Sequence, residues 1–287
     1  MHLHKSNIHN SGYDIDTLCT AYPELQAYIF VNKYDTKTID FANPKAVKAL
    51  NTALLKVYYH IDYWEFPDKN LCPPIPGRVD YIHYLNDLLE RKDHINVLDI
   101  GVGASCIYPL LGHAVYTWNF VGIDIDTETL KNANFILKQN KLDSHITLRH
   151  QKNQNNILEN VINENDAFDL SMCNPPFYKT EQDALQATTQ KLKGLKKDQQ
   201  NIVRNFSGAP NELWYRGGEK AFLHNYIYES SLYKKNCLWF TSLVSKKDLV
   251  HGMKRSLKKL GAKQIKIINM KQGQKQSRIV AWTYKQI

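Results

Sequence analysis

From Ile95 onward the chain alternates short β-branched runs with longer stretches of helical periodicity. That alternation leaves few architectures open, because it is how strands laid parallel and joined by crossover helices are written in sequence. The spacing predicts seven strands, at 95–100 (INVLDI), 119–125 (NFVGIDI), 146–150 (ITLRH), 168–173 (FDLSMC), 237–244 (CLWFTSLV), 264–270 (QIKIINM) and 278–284 (RIVAWTY). Between them, 127–140, 219–233 and 247–261 carry apolar residues near helical spacing, with Thr127 as the candidate N-cap of the first. The last two strands are separated only by KQGQKQS, too short for a crossover helix, so they are expected to pair antiparallel as a hairpin. The expected fold class is therefore α/β.

Residues 1–94 have a different texture, with helical stretches at 14–31, 44–59 and 80–90 and a proline-marked segment, LCPPIPGR, at 71–78. They read as a helical cap ahead of a domain at 95–287. The region 178–217 has few apolar residues and several lysines and glycines. It reads as a long functional loop, since structureless insertions of that size are otherwise uncommon.

Composition narrows the function classes. With 43% hydrophobic and 23% charged residues the chain is neither disordered nor fibrous. No stretch approaches the roughly 18 uninterrupted apolar residues of a membrane span, and the N-terminus MHLHKSNIHN has no apolar signal core, so a cytoplasmic protein with no membrane partner is expected. The 37 Lys and Arg against 28 Asp and Glu give a net charge of +9, which favours an anionic partner such as nucleic acid, solubility charge being the bland alternative. Five cysteines are scattered with no C-x-x-C pair, which points to reduced, mostly buried thiols and no metal.

Three motifs carry chemistry. The strand VLDI runs into GVGAS, placing Gly101 and Gly103 at a sharp turn where missing Cβ atoms let backbone approach an adenosine-like ligand. The dinucleotide fingerprint would need glycine where Cys106 stands, which disfavours pyrophosphate and a nicotinamide-dependent dehydrogenase. Some twenty residues on, Asp124 ends the second strand, where a carboxylate can accept from both ribose hydroxyls; Asp126 is the rival. Third, Asn174-Pro175-Pro176-Phe177 follows the strand FDLSMC, at the carboxyl edge where open α/β sheets place ligands. The prolines fix φ and remove two N–H donors. An exocyclic amine on adenine is a poor nucleophile because its lone pair is delocalised into the ring. The Asn174 amide oxygen and the Pro175 carbonyl can accept its two hydrogens and localise that lone pair toward a methyl donor. Phe177 would stack on the base.

The blocks DFANPKAVKALN (40–51), PPIPGRVDYIHYLNDLL (73–89), LDIGVGASCIYPLLG (98–112), MCNPPF (172–177), WFTSLVS (239–245) and GQKQSRIVAWT (273–283) together resemble the large-subunit ribosomal RNA adenine-N6 methyltransferase F family, which is related to vertebrate methyltransferase-like RNA enzymes. The resemblance spans essentially the whole chain. It implies a class I methyltransferase fold, a Rossmann-like sheet of seven strands with one antiparallel, in which residues 1–94 serve as a helical RNA-binding region. It implies transfer of a methyl group from S-adenosyl-L-methionine to N6 of one adenine in 23S ribosomal RNA, free or in a large-subunit assembly intermediate, by a monomer. Carried over position by position, Asn174 to Phe177 match the catalytic tetrad, with Asn174 also near the cofactor. Gly101 and Ser105 match the cofactor turn, and Asp124 the ribose acid. Arg78 matches an arginine near the cofactor's methionine end, where a guanidinium can pair with the carboxylate. Asn153 falls, with a one-residue shift, where relatives place a small polar residue near the cofactor's adenine. The long C-terminal extension of the vertebrate members is missing, so their roles on messenger and small nuclear RNA are not transferred.

Basic residues then acquire positions. Lys191, Lys193, Lys196, Lys197 and Arg204 lie in the long loop, and Lys271, Lys275 and Arg278 at the terminal hairpin, as candidate phosphate contacts. Trp214 and Tyr215 read as anchors holding the loop down. His2, His4, Lys5 and His9 read as a frayed polar terminus. Two alternatives compete: methylation of a protein glutamine amide at N5, since an N-P-P turn suits any planar conjugated amide, and a catalytically idle RNA-binding module on the same scaffold.

Overall fold

Strand and helix periodicity translate almost residue for residue into the computed structural model, which describes residues 3–176, 178–180, 182–183, 214–272 and 275–286. The N-terminal part holds helix α1 (Ile15–Ala21), a short 3-10 segment at Pro23–Tyr28, the hairpin of β1 (Ile29–Val31) and β2 (Lys37–Ile39), and helices α2 (Pro44–Tyr59) and α3 (Ile75–Asn86). Thereafter come β3 (Asn96–Ile100), α4 (Ile107–Tyr116), β4 (Asn119–Asp124), α5 (Thr127–Gln139), β5 (Ile146–His150), β6 (Phe168–Cys173), α6 (Gly218–Ser230), β7 (Cys237–Val244), α7 (Lys247–Lys259), β8 (Gln264–Gln272) and β9 (Lys275–Thr283).

The seven later strands form one sheet in the order β5-β4-β3-β6-β7-β9-β8. Pairs from β5 through β7 are parallel, and β9 alone runs against both of its neighbours. Every strand expected from the sequence is present. The order reverses at β3, which pairs β4 on one side and β6 on the other, and Ile100 sits level with Cys173 in that register. In an open α/β sheet the ligand crevice lies outside the carboxyl ends at such a point. β3 is buried on both faces along Val97–Ile100, which is why it reads as a continuous apolar run and not as an alternating one.

Two apolar clusters cover the sheet. One joins Leu18, Leu54, Trp64 and Tyr81 of the N-terminal region to Val97, Leu110, Trp118 and Ile279, so that region shares a core with the sheet. Tyr81 Oη sits 2.7 Å from Thr241 Oγ1, tying α3 to β7. The other is built from Phe222, Tyr226 and Ile227 of α6 and Met253 and Leu257 of α7, against Phe240, Val280 and Trp282. α4 lies directly on β4 at Gly112, where any Cβ would come within 2.4 Å of the Phe120 ring.

Four local expectations are corrected. The helix expected over 14–31 is cut after Ala21: Pro23 forces Tyr22 out of the helical region (φ −141°, ψ 85°), and residues 29–31 are taken up by pairing with 37–39. The helix expected at 80–90 starts earlier, at Ile75, because Pro76 is tolerated in a first turn. Asp126, not Thr127, caps α5, its carboxylate accepting from Thr129 N at 3.0 Å. The N-terminus is not frayed over its described part. His4 N and Asn7 Nδ2 donate to the buried Asp80 carboxylate at 2.6 and 3.0 Å, and His4 and His9 are buried, His9 Nε2 lying 2.7 Å from Tyr59 Oη. Lys5 remains exposed, and His2 lies outside the described residues.

Candidate active site

The cleft at the carboxyl edge is made by two turns with opposite construction. After β3 the chain turns through Gly101 (φ 77°) and Gly103 (φ 69°), left-handed backbone that side chains resist, and an added Cβ at either would project into open space. Gly101 N and Val102 N both donate to Ile123 O at 2.9 Å, stitching the turn to the end of β4. From outside, Trp64 Nε1 donates to Ser105 O at 2.9 Å and Asn132 Nδ2 to Ala104 O at 2.8 Å. Cys106, at the position where the dinucleotide fingerprint has its third glycine, takes φ 51° and opens α4. Its thiol is buried.

Asp124 and Asp126 separate by their bonds. Asp124 Oδ2 accepts from Gly103 N at 3.0 Å and Oδ1 from Asp126 N at 3.1 Å, so its carboxylate braces the glycine turn while lining the cleft. Burial pushes its carboxyl above the usual range, and those backbone N–H groups work against the rise. Asp126 also borders the cleft, but its Oδ2 is committed to Thr129 N and Thr129 Oγ1, which holds its carboxyl low.

After β6 the second turn, Asn174-Pro175-Pro176, lines the same cleft. Asn174 is half-buried, and among the described residues its side-chain amide makes no hydrogen bond. Two prolines with no N–H leave this turn acceptors and almost no donors. Phe177 lies outside the described residues.

The far wall comes from the N-terminal region: Leu71, Pro73 and Arg78. Arg78 Nη1 donates to Tyr108 Oη at 2.7 Å, and its guanidinium stands 5.3 Å from that ring's centre, while Nε is buried without a partner among the described residues. Beneath this lies Asp99 of β3, 1% exposed, neither carboxylate oxygen having a partner among the described residues. Burial first, then the nearby charge of Asp124, raise it to about 8, with Arg78 pulling the other way. The sequence signal for it is an acid inside the apolar run VLDI.

The remaining expected residues fall as follows. Ser105 lines the cleft. Asn153 does not: its Oδ1 accepts from Asn155 N at 3.0 Å, an Asx turn that folds the side chain onto its own loop, and Gln151, Gln154 and Asn156 form that wall instead. This loop is pinned by Glu229, a buried residue that nothing in its sequence neighbourhood singles out, whose carboxylate accepts from Ile157 N, Leu158 N and Glu159 N at 2.6–3.0 Å. Tyr215 is an anchor, packing edge-on to Phe222 at 5.3 Å, with its Oη accepting from Asn225 Nδ2 at 2.8 Å. It also lines the cleft together with Trp214, whose Nε1–H is buried without a partner among the described residues. Lys191, Lys193, Lys196, Lys197, Arg204 and the side chains of Lys271 and Lys275 lie outside the described residues. Arg278 pairs with Val244 at the end of β7, which puts it at the carboxyl edge.

Taken together, the cleft offers a partly buried acid, a glycine turn and, among the described residues, a guanidinium nitrogen without a partner and an unengaged amide at a donor-poor corner. Solved structures similar over 99% of this chain include the human Mettl16 catalytic domain in complex with MAT2A 3'UTR hairpin 1 (27% identity, TM-score 0.84, 96% of that chain) and the N-terminal domain of human METTL16 in complex with SAH (26% identity, TM-score 0.79, 99% of that chain). Proteins named ribosomal RNA large subunit methyltransferase F are similar over 98% of this chain, at 49% identity in Colwellia psychrerythraea (99% of that relative) and 48% in Pseudoalteromonas translucida (93%). The model of the RNA methyltransferase family matches residues 1–286. The chain therefore belongs to the RNA methyltransferase family.

Proposed function

We propose that this protein transfers a methyl group from S-adenosyl-L-methionine to N6 of an adenine in 23S ribosomal RNA, working as a cytoplasmic monomer on free RNA or a large-subunit assembly intermediate. The observation that carries the reading is the unengaged Asn174 amide at a corner stiffened by two prolines, in one cleft with Asp124 and the glycine turn. No helix among the described residues is long and apolar enough to cross a membrane.

The residues fit the cofactor. Open space above Gly101 and Gly103 admits a ligand against bare backbone, and Arg78 Nε is a buried donor in want of an acceptor. When bound, S-adenosyl-L-methionine supplies an electrophilic methyl on a sulfonium. Asp124 then accepts from the ribose hydroxyls, and Arg78 pairs with the methionine carboxylate. Asn174 Oδ1 and the Pro175 carbonyl each accept one N6 hydrogen, which draws the amine nitrogen toward tetrahedral geometry and frees its lone pair for attack. These groups accept hydrogen bonds without removing a proton beforehand; as the new N–C bond forms the bond from methyl to sulfur breaks, its electron pair staying on sulfur, and the extra proton then passes to water. Phe177 supplies the stacking face for the base.

The test is methyl transfer to 23S RNA isolated from a strain lacking this gene, mapped to one nucleotide. The expected product is a single N6-methyladenine, lost with Asn174→Ala while cofactor affinity stays within about tenfold. Label arriving on a release-factor glutamine instead, or undiminished turnover in the variant, overturns the reading.

A further inference from the structure

Between Lys246 and Lys263 the chain carries seven Lys and Arg against one acid, Asp248, a net of +6 in a protein of net +9. α7 sorts that charge onto one side. Met253 and Leu257 are buried in the core, and Leu249 and Val250 pack against it. Lys247, His251, Lys254, Arg255 and Lys258, all exposed, recur at i, i+4, i+7, i+8 and i+11, which is a single stripe along the solvent face. At 1.5 Å per residue the stripe runs about 17 Å, the reach of a few consecutive phosphates. Lys259 and Lys263 extend it at the C-terminal end, where Lys234 Nζ also donates to Leu260 O at 3.1 Å.

Part of this placement works against the helix, although Asp248 in the first turn and Lys258 and Lys259 in the last suit the macrodipole. Lys247 sits in the first turn, where the macrodipole disfavours a cation, and Lys254 with Lys258, and Arg255 with Lys259, are like charges at i, i+4. A face shaped for solubility interleaves both signs. Here, among the described residues, Lys247, Lys254, Arg255 and Lys258 have no acidic partner within ion-pair distance. The stripe also has a direction. It begins just after Val244, at the carboxyl edge that holds the cleft, and runs back toward the amino edge of the sheet.

We propose that the exposed face of α7 is a docking surface for the phosphate backbone of an RNA arm that flanks the target nucleotide, separate from the cleft where the base reacts. This rests on the reading of the chain as an RNA methyltransferase. An anionic membrane is the weaker occupant, because a helix that lies in a bilayer interface needs a free apolar side, and that side of α7 is spent on the core.

The triple variant Lys254→Gln/Arg255→Gln/Lys258→Gln leaves the cleft untouched and tests this directly. With a 23S RNA transcript, KM is expected to rise about tenfold with kcat unchanged, and the slope of log affinity against log salt to fall by about 2 to 3, close to one for each phosphate no longer neutralised. Cofactor affinity by calorimetry and thermal unfolding are expected to match the parent, and the all-arginine counterpart (Lys254→Arg/Lys258→Arg) to retain parental KM and slope. An unchanged KM and salt slope in the triple variant overturns the proposal, as does a loss of binding confined to phosphatidylserine vesicles. The salt slope is read by filter binding without turnover. A parent that binds RNA with this slope but methylates none of it therefore refutes the catalytic reading while leaving the surface standing.

Discussion

The turn after β3 and the turn after β6 stand side by side at the top of the sheet, yet one is saturated with hydrogen bonds and the other is nearly bare. Around Gly101–Cys106, backbone N–H groups are spent on Ile123 and Asp124, and carbonyls on Trp64 and Asn132. Around Asn174–Pro176 the prolines have no N–H to spend, and the asparagine amide is unengaged among the described residues. A surface that holds a ligand gains from being fixed in advance. A surface that reacts must keep acceptors free until the substrate arrives, and proline stiffness supplies order there without using them.

The contrast can be broken from either side. The largest effect is expected from Asn174→Ala, which removes an acceptor that acts mainly in the transition state: kcat for methyl transfer should fall about 10²- to 10³-fold in single-turnover assays. Asp124→Ala attacks the saturated turn, leaving the Gly103 and Asp126 N–H groups without acceptors. Cofactor Kd should rise about 10- to 100-fold by calorimetry, with a smaller loss in kcat at saturation. Glu229→Ala should raise the cofactor KM about tenfold by loosening the 154–159 wall, and Glu229→Gln, which keeps an acceptor oxygen, should recover part of it.

Asp99 sharpens the contrast through pH. Its carboxyl titrates near 8 in the fold and near 4 when unfolded, so the folded state holds the extra proton, and stability falls as pH rises from about 4 to about 8. Asp99→Asn cannot ionise. Its Tm without cofactor should gain on the parent over that window, by about 3–6 °C at pH 8, with the difference vanishing near pH 4. A difference that does not change with pH would remove Asp99 from the account. The smallest effect concerns the other end of the molecule. Burial holds both His9 and His83 near 4, against 6.5 when unfolded, so the N-terminal region should lose stability as pH falls from about 6.5 toward 4. Hydrogen exchange of residues 3–13 at pH 5 and pH 7 reads this without disturbing the cleft.

What could be read in the sequence was what the backbone decides locally. Strand positions, the hairpin, the glycine turn and the Asn-Pro-Pro corner follow from period, chain length and φ restriction, and they lie where expected. Arg78 came only from family resemblance, because nothing in LCPPIPGR says that the segment will fold over the sheet. Asp99, Tyr108 and Glu229 matter through partners tens of residues away in sequence. Glu229 meets the 157–159 turn across 70 to 72 positions, a relation that no window of periodicity can register. Asn153 is turned onto its own loop by an Asx turn, a local bond that the family pattern does not register. The break at Tyr22 is written in Pro23, which disfavours the helical region for the residue before it.

The N-terminal strap has a practical corollary for anyone shortening or tagging this protein. His4 N and Asn7 Nδ2 are the donors to Asp80 Oδ1, and Asp80 sits two residues along α3 from Arg78. Clipping residues 3–10 would strand a negative charge under the helix that presents the guanidinium to the cleft. A truncation chosen for convenience at one end would surface as an unexplained defect in cofactor retention at the other.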